Sequence, residues 1–298
     1  MSLMSEHDSI QPGPLPARPL PAGAVGPGSQ PVESDGAALE YLSMPGEMQT
    51  YRQPPLPEPG EVAGLTAGLA LLEAARQALQ GYHVGGPPWV LDLAPLDADN
   101  LRLVADSLGE GEVSVIGTGG ARAQETRLAG LWRVQDLDAD GKPTRDLLEI
   151  ADVPGFVRET AFDGARDSIE VPALLPDGVM NAPGVVAELN EYVARRRRGQ
   201  TAPHVLNLTL LPETEQDLAF LDERLGAGNI RILSRGYGNC RITASGLRDV
   251  WWVKFYNSDD RLILSTLEVT GVPEAALAAQ EDIEDSAARL GEILDALR

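Results

Sequence analysis

The chain has few of the residues that build catalytic, metal and disulfide sites. Its 298 residues include one cysteine, Cys240, and three widely separated histidines, His7, His83 and His204. One cysteine excludes a disulfide within the chain and any single-chain metal site that needs two thiolate ligands, and this usage fits a reducing cytoplasm. Since no Ser-His-Asp set or zinc motif is present, the sequence favours a protein that is not an enzyme and holds no cofactor.

Long hydrophobic runs and an excess of positive charge are also missing. No stretch of about 18 apolar residues occurs, and the first residues lack the basic and apolar regions of a secretion signal. The 24 Lys and Arg residues stand against 45 Asp and Glu, so the formal net charge is -21. Such a surface repels nucleic acid and anionic lipid, and it attracts a basic segment. We therefore expect a cytoplasmic protein with no nucleic-acid or membrane partner.

The N-terminal region differs from the rest in composition. Residues 1–60 are rich in proline and glycine and poor in large apolar side chains, which predicts a disordered tail. Within it, residues 44–59 (MPGEMQTYRQPPLPEP) carry two methionines, Tyr51 and Leu56. These side chains favour an extended arm docked on the body of the protein, and a plain linker is the alternative.

The remaining sequence contains an internal repeat. Residues 108–116 (LGEGEVSVI) match residues 225–233 (LGAGNIRIL), and residues 89–96 (WVLDLAPL) match residues 204–211 (HVLNLTLL). Around these matches, each copy has the pattern of a helix, a strand, a second helix and then three or four strands.

The repeat predicts the fold class and the domain limits. We expect an α+β fold in two tandem copies, residues 61–165 and 166–298. Each copy forms a helix-strand-helix-multistrand unit of a two-layer α/β sandwich, and a pseudo-twofold axis relates the copies. A final helix from about Pro273 carries an apolar stripe that should cover the sheet.

Equivalent positions in the copies predict which side chains are buried. Trp132 corresponds to Trp251, which indicates core positions, whereas Trp252 points to the opposite sheet face and is a candidate for a partner surface. Glu149 corresponds to Glu268, and we expect both as exposed strand residues.

Two glycine-rich segments are turns in this interpretation. In VIGTGGARA, Arg122 stands where a dinucleotide-binding loop needs glycine, so we predict a β-hairpin turn. RGYGNCRI lies at the equivalent place in the second copy, where Cys240 corresponds to Ala121. This correspondence favours an inert, packed thiol, and the alternative is a thiolate whose pKa is lowered by Arg235 and Arg241.

Several segments together resemble one protein family over roughly residues 44–297. They include MPGEMQTYRQPPLPEP, GLWRV, GVMNAP, HVLNLTLLP, LSRGYGNCRI and VWWVKFYNSDDRLILSTLEV. The resemblance is to the HupH/HyaF family of accessory proteins in NiFe-hydrogenase maturation. It implies a cytoplasmic, non-enzymatic protein linked to the iron-sulfur-bearing small-subunit precursor before twin-arginine export. It also implies a thioredoxin-like partner of the HyaE/HupG type.

The family offers no established catalytic residues, so the site prediction concerns partner binding. The candidates are the residues of the quoted motifs together with Trp252: Arg235, Gly236, Tyr237, Gly238, Asn239, Cys240, Arg241, Met180, Asn181 and Pro183. Three hypotheses remain open at this point: a chaperone for the small-subunit precursor, a metal or iron-sulfur handling factor that shares Cys240 across a homodimer, and a redox enzyme that uses Cys240.

Overall fold

The structure is a computed structural model that describes Val62, residues 64–235 and residues 239–298. The predictions for the tail, for the arm at residues 44–59 and for Gly236, Tyr237 and Gly238 lie outside the described residues. We call residues 64–165 the first half and residues 166–298 the second half.

The first half begins with two helices separated by a strand and continues with four strands. Its elements are α1 (Thr66–Gly81), β1 (Trp89–Asp92), α2 (Ala98–Leu108), β2 (Val113–Gly117), β3 (Ala121–Glu125), β4 (Leu131–Leu137), β5 (Pro143–Ile150) and the short α3 (Gly155–Thr160). The first strand is shorter than its apolar run predicts, because Leu93 to Leu96 form a turn in which the Leu96 N–H donates to the Leu93 carbonyl.

The second half contains the same succession and ends in a long helix. Its elements are α4 (Ala182–Arg197), β6 (His204–Asn207), α5 (Glu215–Leu225), β7 (Ala227–Ser234), β8 (Asn239–Ser245), β9 (Val250–Tyr256), β10 (Leu262–Val269) and α6 (Gln280–Leu297). The sequence predicted that the last helix begins at about Pro273, and this starting point is wrong. Only one 3₁₀ turn, Glu274–Ala276, follows this proline, and the extended residue Ala279 precedes α6.

The second helix of each half begins and ends with the same kinds of capping residue. Asp97 caps α2 by accepting the Asn100 N–H, and Thr214 forms a capping box with Asp217 at the start of α5. Both helices end at glycines with positive φ, 59° at Gly109 and 63° at Gly226. The sequence predicted a second helix in each half, and α2 and α5 confirm it.

The ten strands form one sheet in the order β1-β5-β4-β3-β2-β7-β8-β9-β10-β6. All strand pairs in the described part of the chain are antiparallel, so the protein is a mixed α and β structure built on a large antiparallel sheet. The halves meet where β2 pairs with β7, with Val115 opposite Ile232. The sequence repeat matches these same two residues, so the register is symmetrical about this pair.

One face of the sheet carries the long helices. In the first half, α1, α2 and α6 enclose a core that includes Leu72, Leu103, Leu148 and Leu290. The apolar stripe of α6 therefore covers the first half, although α6 is the last element of the chain. In the second half, α4 and α5 pack on Leu206, Leu267 and their neighbours.

The opposite face carries a central core built from both halves. It contains Trp132, Trp251 and Cys240, and it is covered by α3 and by the segment around Ala276. Each tryptophan donates its Nε1–H to a carbonyl, from Trp132 to Ala151 at 2.9 Å and from Trp251 to Gly271 at 3.1 Å. Their predicted burial is confirmed.

The expectation for the two equivalent glutamates is wrong at Glu149, which is buried. Glu149 lies opposite Trp132 in the sheet, and Glu268 lies opposite Trp251. The Glu149 carboxylate accepts the Gly155 N–H at the start of α3, whereas Glu268 is half-buried and accepts the Thr266 hydroxyl. Burial raises the pKa of both carboxyls.

Candidate functional site

Four of the sequence-predicted site residues lie at the end of β7 and the start of β8: Arg235, Asn239, Cys240 and Arg241. The Arg235 N–H donates to the Glu112 carbonyl at 3.1 Å, which continues the β2–β7 pairing by one residue. At the start of β8, Asn239 Nδ2 donates to Asp260 Oδ1 at 2.8 Å. The start of β8 is thereby joined to the turn between β9 and β10.

Cys240 points into the central core and is only 7% exposed. It stands at the place in β8 that Ala121 occupies in β3, since Cys240 pairs with Phe255 and Ala121 pairs with Asp136. Burial, with a smaller contribution from the charge of Glu268, raises the pKa of the thiol to about 11.

This pKa contradicts the alternative of an activated thiolate, because at neutral pH the thiol keeps its proton. The burial of Cys240 also argues against a ligand set shared between two protomers, which requires the thiol to reach the surface.

Two cation–aromatic contacts lie on the helix-bearing face of the second half. The Arg241 guanidinium stands 4.5 Å from the centroid of the Tyr256 ring, and Lys254 Nζ stands 4.5 Å from the centroid of Trp252. Trp252 is half-buried, packs against the core under α4 and α5, and donates its Nε1–H to Ser265 Oγ at 2.9 Å. The structure thus places Arg241 and Trp252 on one face and Cys240 on the other.

The first half has a cleft at the place that Trp252 fills in the second half. Arg133 occupies the equivalent position in β4 and forms an ion pair with Asp146, with 2.6 Å between Nη2 and Oδ2. A cleft of about 230 Å³ remains beside it, lined by side chains of α2 and the sheet that include Leu101, Val104 and Leu148. Sequence reasoning missed this cleft, although the Arg133–Trp252 replacement was a signal for it.

The GVMNAP motif forms the start of α4. The backbone N–H groups of Met180, Asn181 and Ala182 all donate to Asp217 Oδ1, at 2.8 to 2.9 Å. Asn181 Nδ2 also donates to the Pro212 carbonyl at 2.7 Å. The motif therefore ties α4 to the start of α5, while the side chain of Met180 is 73% exposed.

Asp217 is fully buried, and its carboxyl group is nonetheless more acidic than that of an ordinary aspartate. Burial favours the neutral carboxyl, but the N–H groups of Ala182, Thr214 and Met180 outweigh that effect and lower the pKa of Asp217 to about 2. In the first half the neutral side chain of Asn100 plays the corresponding part, because its Oδ1 accepts the Gly68 N–H at 2.7 Å. Sequence reasoning missed Asp217, although its position in a capping box could have indicated it.

Among the residues that the structure describes, no group of three or more His, Cys, Asp or Glu side chains is arranged to hold a metal ion. Within the same residues, no helix is long and apolar enough to cross a membrane.

Comparison with protein families gives two matches along the chain. The family described as "HupH hydrogenase expression protein, C-terminal conserved region" matches residues 65–172 and again residues 179–297. The two matched regions cover most of the first and second halves.

Individual relatives match nearly the whole chain. The hydrogenase expression/formation protein HupQ of Azotobacter chroococcum is 47% identical over 282 residues, which cover 93% of this chain and 97% of that protein. HupH of Rhodobacter capsulatus is 45% identical over 94% of this chain and 98% of its own. The hydrogenase-1 operon protein HyaF of Escherichia coli is 34% identical over 90% and 94% of the two chains.

One solved structure is similar in sequence over a shorter span. It is the hydrogenase expression protein HupH from Thiobacillus denitrificans, which is 25% identical, with a TM-score of 0.35 over 38% of this chain and 92% of that chain.

Proposed function

Since the chain belongs to the HupH family of hydrogenase expression/formation proteins, we propose that it is a non-enzymatic accessory protein of NiFe-hydrogenase maturation. In this role it binds the small-subunit precursor in the cytoplasm, before export through the twin-arginine pathway. A thioredoxin-like protein of the HyaE/HupG type is the second partner in the proposal.

The observation that carries this proposal is the extent of the family match. Relatives named as hydrogenase expression/formation proteins align over 93% or 94% of the chain at 45% to 47% identity. A match of this length includes both halves and is not confined to one shared motif. The packed, high-pKa thiol of Cys240 supports a binding role over a redox role.

The symmetry of the sheet supports a second element of the proposal, which concerns architecture. We propose that the chain consists of two tandem copies of one helix-strand-helix-multistrand unit, arranged as a two-layer sandwich with short segments on the second face. The pseudo-twofold axis passes through the Val115–Ile232 pair. Equivalent tryptophan–glutamate pairs on either side, such as Trp132–Glu149 and Trp251–Glu268, support this relation.

The net charge of the chain supports the small-subunit precursor as its client, the protein that it binds during maturation. The formal net charge of -21 favours association with a basic segment, and a leader with paired arginines is such a segment. Because this attraction acts through exposed charges, salt should weaken the complex.

Co-purification with the small-subunit precursor tests the proposed function. The tagged full-length chain is mixed with the precursor that carries its leader and, in parallel, with the precursor that lacks it. We expect a complex at low salt that is stronger with the leader and weaker at high salt. If neither form of the precursor binds at low salt, the proposed function is wrong.

A further inference from the structure

An exposed apolar strip lies along the outer edge of the second half. We call it the edge surface and define it by five residues: Met180, Leu210, Leu211, Leu262 and Ile263. The side chain of Leu210 is 80% exposed and that of Ile263 is 57% exposed. Large apolar side chains that gather at one place on a soluble protein mark interaction sites more often than single ones do.

Two hydrogen bonds join the segments that carry these residues. The bond from Asn181 to the Pro212 carbonyl joins the segment that carries Met180 to the segment that carries Leu211. The Ser265 N–H donates to Thr209 Oγ1 at 2.8 Å, which joins the Leu210 turn to β10. The strip therefore runs from the start of α4, across the turn after β6, to the beginning of β10.

Among the described residues, the outer edge of β10 also lacks a paired strand at its beginning. Strand β10 has eight residues, Leu262–Val269, but β6 pairs only with Thr266–Val269. No other strand in the described part of the chain pairs with the outer side of residues 262–264, whereas the Ser265 N–H already donates to Thr209. An open strand edge of this kind can accept an added strand from another segment, through backbone hydrogen bonds and alternating side-chain contacts.

The equivalent edge of the first half is protected against such pairing. There β5 begins with Pro143, Thr144 and Arg145 at the positions of Leu262, Ile263 and Leu264. Proline and charged residues are the usual means by which proteins block a strand edge. At the preceding turn, Pro95 stands in the place of Leu210. One half therefore begins this strand with proline and a charged residue, whereas the other begins it with exposed leucine and isoleucine and a bulge in its pairing with β9.

Charge identifies the segment that fits this edge. Asp259 and Asp260 stand in the turn just before Leu262, and Glu213 and Glu215 follow the Leu210–Leu211 segment. Acidic residues thus lie at both ends of the apolar strip and outnumber the one adjacent basic residue, Arg261, on a chain whose net charge is -21. Complementary charges would hold basic residues on either side of a bound apolar stretch.

From these observations we infer that the edge surface binds an extended, apolar segment of a partner protein, flanked by basic residues, as an added strand along residues 262–264 of β10. The inference rests on the proposed function where it takes the hydrogenase small-subunit precursor as the source of the segment. It goes beyond the proposed function because it names the surface and the mode of binding.

The test combines charged substitutions with a matched control. Ile263→Lys and Leu210→Lys each place a charge on the edge surface, and Thr144→Lys places the same charge at the equivalent edge position of the first half. Because all three side chains are exposed, urea unfolding should show unchanged stability. The probes are the precursor and a synthetic peptide of alternating valine and threonine with two lysines at each end.

We expect Ile263→Lys and Leu210→Lys to weaken binding of the precursor and the peptide by about tenfold or more, because each leaves a desolvated charge in the contact. Thr144→Lys should leave both affinities unchanged. Hydrogen exchange of the wild-type complex should show new protection of the Ile263 amide. A precursor complex that tolerates both edge variants would overturn the inference and leave the proposed function intact.

Other outcomes show whether something other than the precursor occupies the edge surface. If the precursor fails to bind, the proposed function is wrong, and the peptide alone decides the inference: binding that Ile263→Lys abolishes supports it, and absence of binding overturns it. A doubled mass in solution that Ile263→Lys reduces to the monomer assigns the edge to a second copy. Protection of the Ile263 amide in the isolated monomer assigns it to the chain itself. Either of these last results overturns the inference.

Discussion

At Asp217 a single buried carboxylate fixes the beginnings of two helices. It accepts three backbone N–H groups from the start of α4 and completes the capping box of α5. Hydrogen bonds to a charged group contribute about 1.5–3 kcal/mol. The backbone of the GVMNAP motif therefore stabilises the fold. The exposed side chain of Met180 takes no part in these bonds and is available for other contacts.

The low pKa of Asp217 gives a prediction about acid stability. The folded-state pKa of about 2 lies below the ordinary value of 3.8, so this stabilisation is complete above pH 4 and is lost as the pH falls from about 4 to about 2. Asp217→Asn should cost about 2–3 kcal/mol at pH 7, and the gap to the wild type should narrow toward pH 2. Urea unfolding at several pH values measures this gap. A gap that stays constant down to pH 2 would contradict the assignment.

Cys240 provides the second prediction at this scale. Because the thiol is buried and its pKa is raised to about 11, iodoacetamide at pH 8 should modify the folded protein far more slowly than the urea-unfolded protein. Cys240→Ala should cost only about 1 kcal/mol, since the first half carries Ala121 at this place. Client binding is the control and should persist in this variant. Rapid labelling of the native chain would show that the thiol is accessible.

At the scale of elements, two equivalent glycines allow two backbone segments of each half to approach each other closely. A Cβ at Gly111 would overlap the Thr126 carbonyl oxygen, and a Cβ at Gly228 would lie 2.6 Å from the Ser245 carbonyl oxygen. Gly111 lies just before β2 and Gly228 lies near the start of β7, and each thus passes directly against the end of the next strand.

We expect Gly111→Ala and Gly228→Ala each to destabilise the protein by about 1–3 kcal/mol, because the backbone must shift to admit a methyl group. The matched control is Gly184→Ala in α4, where a Cβ meets nothing within 4 Å, and it should stabilise by about 0.5–1 kcal/mol. Chemical unfolding of the three variants measures both signs. Equal effects of all three substitutions would show that glycine flexibility, and not close approach, governs these sites.

At the scale of the whole molecule, the two halves depend on each other. The last helix, α6, buries Ile283, Leu290, Leu294 and Leu297 in the core of the first half. The central core likewise mixes Trp132 of one half with Trp251 of the other. Neither half therefore has a complete core of its own.

Removal of residues 280–298 should unfold the first half. Full burial of an aliphatic side chain contributes about 1.5–3 kcal/mol, so the loss of four such side chains is comparable to the 5–15 kcal/mol stability of a whole domain. We expect the truncated chain to bind ANS and to lose its cooperative thermal transition. The full-length Leu290→Ala variant is the milder comparison and should fold with about 2–5 kcal/mol less stability. A truncated chain with a sharp native-like transition would contradict this dependence.

The sequence by itself determined the helix-strand-helix order that opens each half and the burial of the two equivalent tryptophans, but not α3 or the start of α6. These features follow from local signals, such as the cap at Asp97, the glycine at Gly109 and the spacing of apolar residues. Repetition of the same signals in the second half made the order of elements predictable. The family resemblance was also readable from the motifs, because it depends on many short matches along the chain.

Only the tertiary structure decided which faces and edges these elements present. The sequence pattern did not show that Glu149 is buried, because the strand gives no sign that α3 will close over it. It also left the cysteine open between two interpretations, and burial in the central core determined its pKa. The open edge at Leu262 and Ile263 appears only when strand pairing is known, since exposure at a sheet edge depends on which neighbour is missing and not on local propensity.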